Sequence, residues 1–202
     1  MAEEFKYITL TEDNIASEHI CCAFSDKKCV AGYQKKKDWL RREFGNGLVF
    51  RRLDERAKVF LEYGPAEEAW MPVDAPGYLM LGCFWVSGQY KGKGHAKALL
   101  KAALDDAAAN GKNGIVAVAG KKKFHFMADA KWFVMQGFSV VQESPDGFVP
   151  VVKKIKADAP DSRFAESVTS GGLGEPGKGV SYSGRCRFKD FQIKNSPKEA
   201  LE

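Results

Sequence analysis

The stretch from Tyr78 to Gly120 constrains the fold more than any other part of the chain. It runs "YLMLGCFWV", then a glycine-punctuated loop "SGQYKGKGH", then "AKALLKAALDDAAAN", then "GIVAVAG". The first run is apolar at nearly every position, which suits a strand buried on both faces at the centre of a sheet. In the third, Ala96, Leu99, Leu100, Ala103, Leu104 and Ala107 fall on one stripe at helical spacing, and Asn110 and Gly111 stop it. Strand, crossover helix and short apolar strand predict a right-handed parallel unit. The chain of 202 residues, 45% hydrophobic and 28% charged, has the length and composition to build one globular domain around that unit.

The flanking pattern supplies the other elements. "FKYITLT" (Phe5 to Thr11) alternates as a first strand, "NIASEHICCAF" (Asn14 to Phe24) has helical periodicity, and "KKKDWLRREF" (Lys35 to Phe44) predicts a second helix closed by Gly45. Strands are expected at Leu48 to Asp54, Ala57 to Tyr63 and Tyr78 to Val86, and again after the central unit in "FSVVQE" and "FVPVVKKI". Between them a helix from about Ala128 to Gln136 ends at Gly137. The expected order is β-α-α-β-β-β-α-β-α-β-β. Beyond Lys156 the chain turns rich in Gly, Pro, Ser and Ala, so the expected division is a domain over residues 1–156 and a linker with a short C-terminal extension over 157–202.

Composition narrows the function classes. The N-terminus "MAEEFKYITL" is acidic where a signal peptide is basic, and no apolar run approaches ~20 residues, so a cytoplasmic protein without a membrane span is expected. Five scattered cysteines (Cys21, Cys22, Cys29, Cys83, Cys186) form no C-x-x-C pair, and no metal site is expected. Net charge +5, with lysine clusters at 35–37, 121–123 and 153–154, suits a phosphate-bearing partner, although such clusters also serve as plain solvated surface.

A glycine loop between a strand and a helix is an anion site, because the first turn of the helix offers N–H groups and a positive dipole end. The P-loop is excluded because His95 and Ala96 follow Gly94 where it needs lysine and a hydroxyl residue. The dinucleotide fingerprint fails because the glycines are Gly88, Gly92 and Gly94. Gln89-x-x-Gly92-x-Gly94 instead resembles the acyl-coenzyme-A loop, Q/R-x-x-G-x-G/A, of the GNAT superfamily of N-acetyltransferases. The element order matches that fold from about Phe5 to Ile155, and "GF" (Gly137, Phe138) closes the later helix as it does in the superfamily.

The resemblance implies an α+β fold: a GNAT-like mixed, mostly antiparallel twisted sheet with helices on both faces. It implies acetyl-CoA as cosubstrate, with Gln89 opening the cofactor loop and the backbone N–H groups of Tyr90, Lys91, Gly92, Lys93, Gly94 and His95 around the pyrophosphate. The pantetheine arm is expected along Leu81, Gly82, Cys83 and Phe84, where the fourth and fifth strands splay. Acetyl then passes directly to an amine, whose proton goes to a carboxylate or an ordered water. Glu62, Glu67 and Glu68 are candidate bases, and His125 and Asp129 lie near the expected acyl end. The superfamily's usual general-acid tyrosine falls at Phe133, which cannot donate a proton and is expected to pack beside the arm. "YSGRC" (Tyr182 to Cys186) resembles the opening of a YoaP-type C-terminal extension, although Arg187 stands where that subset has proline.

The acceptor groove is expected from the first two helices and the two closing strands, with the loop "EYGPAEEAWMPVDAPG" offering acids and Trp70 to a cation. A small-molecule or peptide amine is the implied partner, and a homodimer is left open. Two other readings stay in play. One is an acyl-CoA-binding module without chemistry. The other is a nucleic-acid binder that uses "GKKKFHF" as charge and stacking platform.

Overall fold

β-branched and aromatic runs pair across the chain into one seven-stranded sheet in the computed structural model, which describes residues 5–21, 27–122, 127–145 and 147–169. The elements are β1 (Tyr7–Leu10), α1 (Val30–Phe44), β2 (Val49–Leu53), β3 (Val59–Pro65), β4 (Val73–Asp74), β5 (Leu79–Val86), α2 (His95–Ala109), β6 (Gly114–Gly120), α3 (Ala130–Met135), β7 (Ser139–Val140), β8 (Phe148–Lys154) and β9 (Arg163–Phe164). The sheet order is β1-β2-β3-β5-β6-β8-β7, so the doubly apolar β5 is the central strand. Every pairing is antiparallel except β5 with β6, the pair joined by α2.

Both faces of the sheet are covered. On one, Leu61, Leu81, Ile115 and Val151 pack against Leu99 and Ala103 of α2 and Phe133 of α3. On the other, Phe50 and Phe60 stack at 5.1 Å beneath Trp39 and Leu40 of α1. Farther along that face, Met80, Val116 and Val152 meet Tyr78, Val73 and Phe164.

The helix expected from Asn14 does not form over residues 14–21, which make turns instead; residues 22–26 lie outside the described residues. Asn14 Oδ1 accepts from the Thr11 N–H at 2.9 Å and its Nδ2 donates to the Thr9 carbonyl at 3.1 Å, a local bonding pattern that competes with helix. The following helix begins earlier than expected, at Val30, and its left-handed exit falls on Gly47 (φ 84) rather than on Gly45 (φ −64). The C-terminal extension, with Cys186 and "YSGRC", lies outside the described residues.

Residues just past the expected boundary at Lys156 add to this body. Ala159 and Phe164 are buried, β9 pairs with β4, and Tyr78 Oη donates to the Pro160 carbonyl at 2.6 Å. Truncation after Ala157 is therefore expected to lower Tm by several degrees, since losing one large buried side chain costs about 3–5 kcal/mol. Truncation after Thr169 keeps those contacts, and its melt should track the full chain; differential scanning fluorimetry on both checks the outcome. No helix among the described residues is long and apolar enough to cross a membrane.

Candidate active site

β5 and β6 share only two register pairs, Leu79 with Ile115 and Met80 with Val116. From Leu81 onward β5 keeps its partner β3 but is no longer paired with β6, so the sheet is open at its centre along Leu81 to Phe84. At the start of the gap β5 carries a bulge. Leu61 faces Phe84 and Tyr63 faces Leu81, which leaves Gly82 and Cys83 opposite the single residue Glu62.

Glu62 is 5% exposed and held on both sides. Lys36 of α1 donates to its Oε2 at 2.8 Å, and the same ammonium lies 4.1 Å from the centre of the Trp39 ring. Its Oε1 leans over Gly82, only 2.7 Å from where a Cβ on that glycine would stand. Gly82→Ala is therefore expected to push the carboxylate aside and disturb the Lys36 pair. It should cost about 1–3 kcal/mol by overpacking and lower turnover along with Tm, as a thermal melt beside a thiol-release assay would show.

The loop after β5 has three glycines with positive φ: Gly88 (60°), Gly92 (76°) and Gly94 (92°). Chain neighbours aside, a Cβ on any of them would meet no atom of the described residues within 4 Å, so among these the backbone faces open space. The loop N–H groups divide. Those of Tyr90 and Lys91 bond the Ser87 and Gly88 carbonyls in a tight turn. The N–H groups of Gly92, Lys93 and Gly94 face no acceptor among the described residues, and the first turn of α2 adds N–H groups with no acceptor inside the helix. Gln89, Lys91 and Lys93 are exposed beside them.

His95 anchors the helix end of this loop. Its ring is buried, lies tilted by 35° against Phe5 at 3.9 Å between centroids, and holds Nδ1 2.9 Å from the Tyr7 hydroxyl. Burial pushes the Tyr7 phenol up to about 12, so it stays protonated at neutral pH.

The other expected residues scatter. Glu67 accepts from the Gly77 N–H at 2.6 Å and belongs to its loop, whereas Glu68 is exposed at the mouth of a depression that reaches Glu62. Asp129 caps α3, accepting from the Lys131 N–H at 2.8 Å. His125 lies outside the described residues. Phe133 is 1% exposed, with its ring against Trp132 and Phe138, and it is Trp132 that meets Phe84 of β5, at 5.3 Å between centroids. In the basic run "GKKKFHF", Lys121 pairs with Glu143 at 2.6 Å and residues 123–126 lie outside the described residues.

Sequence reasoning missed Lys36 and Trp39. The lysine cluster at 35–37 looked like solvated surface, yet Lys36 and Lys37 are buried. The signal was present: Tyr33, Lys36, Lys37, Leu40 and Phe44 share one stripe at i, i+3, i+4, i+7 and i+11, so a helix that buries Leu40 carries both lysines inward.

The chain was compared with known proteins. Residues 7–125 match the model of the acetyltransferase (GNAT) family. The chain is 43% identical over 182 residues to the uncharacterized N-acetyltransferase YoaP of Bacillus subtilis (strain 168), covering 90% of this chain and 72% of that protein. An acetyltransferase from Thermus thermophilus superposes with a TM-score of 0.53 at 14% identity, covering 76% of this chain and 99% of that one. The PaiA N-acetyltransferase from Thermoplasma acidophilum, solved in complex with coenzyme A, gives a TM-score of 0.51 at 13% identity, covering 75% and 99%. These two solved structures agree with the present chain in fold, and the family match and the YoaP relative place its lineage: the chain belongs to the GNAT family of acetyltransferases.

Proposed function

We propose that acetyl-CoA, the acetyl donor of this family, lies with its pyrophosphate against the N–H groups of Gly92 to His95 and its arm along Leu81 to Phe84. We further propose that Glu62 is the base. The observation that carries this reading is the pairing of β5: it leaves β6 after Met80 and bulges at Gly82 and Cys83, opposite a buried carboxylate. The open gap offers backbone to an amide-bearing arm, and the open glycine loop offers N–H groups to phosphates. Lys91 and Lys93 add long-range attraction for the anion.

The reaction is acetyl transfer to an amine. An alkylamine has a pKa of about 10.4, so at neutral pH all but about 4 in 10,000 molecules are protonated and unable to attack. With Oε2 fixed by Lys36, Glu62 Oε1 accepts the proton. The neutral amine nitrogen bonds to the acetyl carbon as the carbon–sulfur bond breaks; the nitrogen sheds its remaining extra proton to solvent, and the departing thiolate takes a proton from solvent. Phe133 supplies packing to the sheet and no proton.

Thermal-shift titration with acetyl-CoA, followed by thiol release across an amine panel, tests the reading. A ligand-dependent rise in Tm with amine-dependent thiol release is expected. A rise in Tm with no thiol release from any amine would leave an acyl-CoA-binding module in its place.

A further inference from the structure

The face of the sheet opposite α2 carries a shallow depression, open to solvent, whose lining includes Glu62 and Gly82. Trp39 of α1 forms one wall, Trp70 lies on the other side, and Glu43 and Glu68 stand among the lining residues with no cationic side chain. This is unusual in a chain of net charge +5. Glu62 is neutralised by Lys36, so the negative charge left to the depression belongs to Glu43 and Glu68. Two of the lining residues, Trp39 and Glu62, already hold one alkylammonium, that of the buried Lys36, so this pair of side chains is chemically suited to such a group.

We propose that this depression is the acceptor subsite and that it selects an aliphatic primary amine with a second positive charge a few methylenes away. The reactive nitrogen reaches Glu62 and Gly82. The apolar stem lies along Trp39, Met80 and Trp70, and the distal cation meets Glu43 and Glu68. Stem and charge are recognised by different groups, so they separate experimentally. The inference rests on the acetyltransferase reading given above.

The test uses the full chain saturated with acetyl-CoA and three acceptors with one stem: 1,5-diaminopentane, pentylamine and 5-aminopentanoate. Thiol release should rank them in that order in kcat/KM. The diamine should exceed the anionic amine by at least about tenfold, since two partly exposed carboxylates attract one tail and repel the other. Glu68→Gln should raise KM for the diamine and leave pentylamine unchanged. Trp70→Ala should raise KM for both, and Glu143→Gln, which removes a carboxylate elsewhere on the surface, should change neither. A capped Lys-Lys dipeptide carries the same pair of ammoniums on a peptide, and its rate relative to the diamine separates a basic peptide from a free diamine as the source.

Equal or better use of 5-aminopentanoate overturns the proposal, as does an unchanged diamine preference in Glu68→Gln. Should no acceptor release thiol, titrating the same three amines against tryptophan fluorescence decides: diamine-selective binding abolished by Trp70→Ala upholds the subsite, and absence of selectivity sinks it. Failure of the wider reading looks different, as loss of any acetyl-CoA-dependent shift in Tm.

Discussion

Glu62→Gln is expected to lower kcat by about 10²–10⁴, the range a positioned general base contributes, with the Kd for acetyl-CoA nearly unchanged. The substitution keeps shape and an acceptor for Lys36, so it tests proton removal rather than packing. It also replaces a charge in a pair whose side chains are 7% and 6% exposed, and breaking such a pair costs about 3–5 kcal/mol. The companion variant is therefore Lys36→Met, which removes the other partner and leaves the carboxylate. It should lower Tm at least as much as Glu62→Gln while retaining more turnover. Wild-type turnover in Glu62→Gln, with the fold intact, would hand the base role to another group or to water.

Gly94→Val is expected to weaken acetyl-CoA binding by about 10–100-fold. Gly94 has φ 92° at the start of α2, where a β-branched residue is strained by about 1–3 kcal/mol. The loop can relieve that strain only by turning its N–H groups away, and binding must then restore the strained form. Among the described residues, chain neighbours aside, nothing lies within 4 Å of a Cβ placed on Gly94, so the expected effect comes from backbone strain. Gly111→Val supplies the control: Gly111 also has positive φ (62°) and open surroundings, but it ends α2 far from the loop. It should lose stability and keep affinity. Lys93→Ala removes one exposed, screened charge and should lose far less than Gly94→Val, as calorimetry on the three variants would show. Equal losses for Lys93→Ala and Gly94→Val would mean that charge, not backbone, holds the pyrophosphate.

What the sequence determined by itself is local and periodic. The alternation and apolar run of 79–86, the stripe of α2 and the limits of β6 are set by side-chain pattern, and so the central unit, its parallel pairing and its glycine loop were legible in advance. Gly92 and Gly94 stand where the backbone takes a positive φ, a conformation that glycine permits at no steric cost. The family resemblance rested on that loop in its setting, between strand and helix within the matching order of elements.

Tertiary structure decided what depends on neighbours distant in sequence. The turn at 11–17 displaced an expected helix because Asn14 bonds backbone across that turn. Lys36 left the surface because α1 packs its stripe onto Phe50 and Phe60 and brings the ammonium within 2.8 Å of a carboxylate 26 residues away. Among three glutamates on adjacent segments, only the register of β3 against the bulged β5 distinguishes the one that faces Gly82 from one held by its own loop and one at the mouth of the depression. Propensity acts over a few residues, whereas burial and register are set by contacts across the sheet, and the buried Glu62–Lys36 pair is defined by the latter.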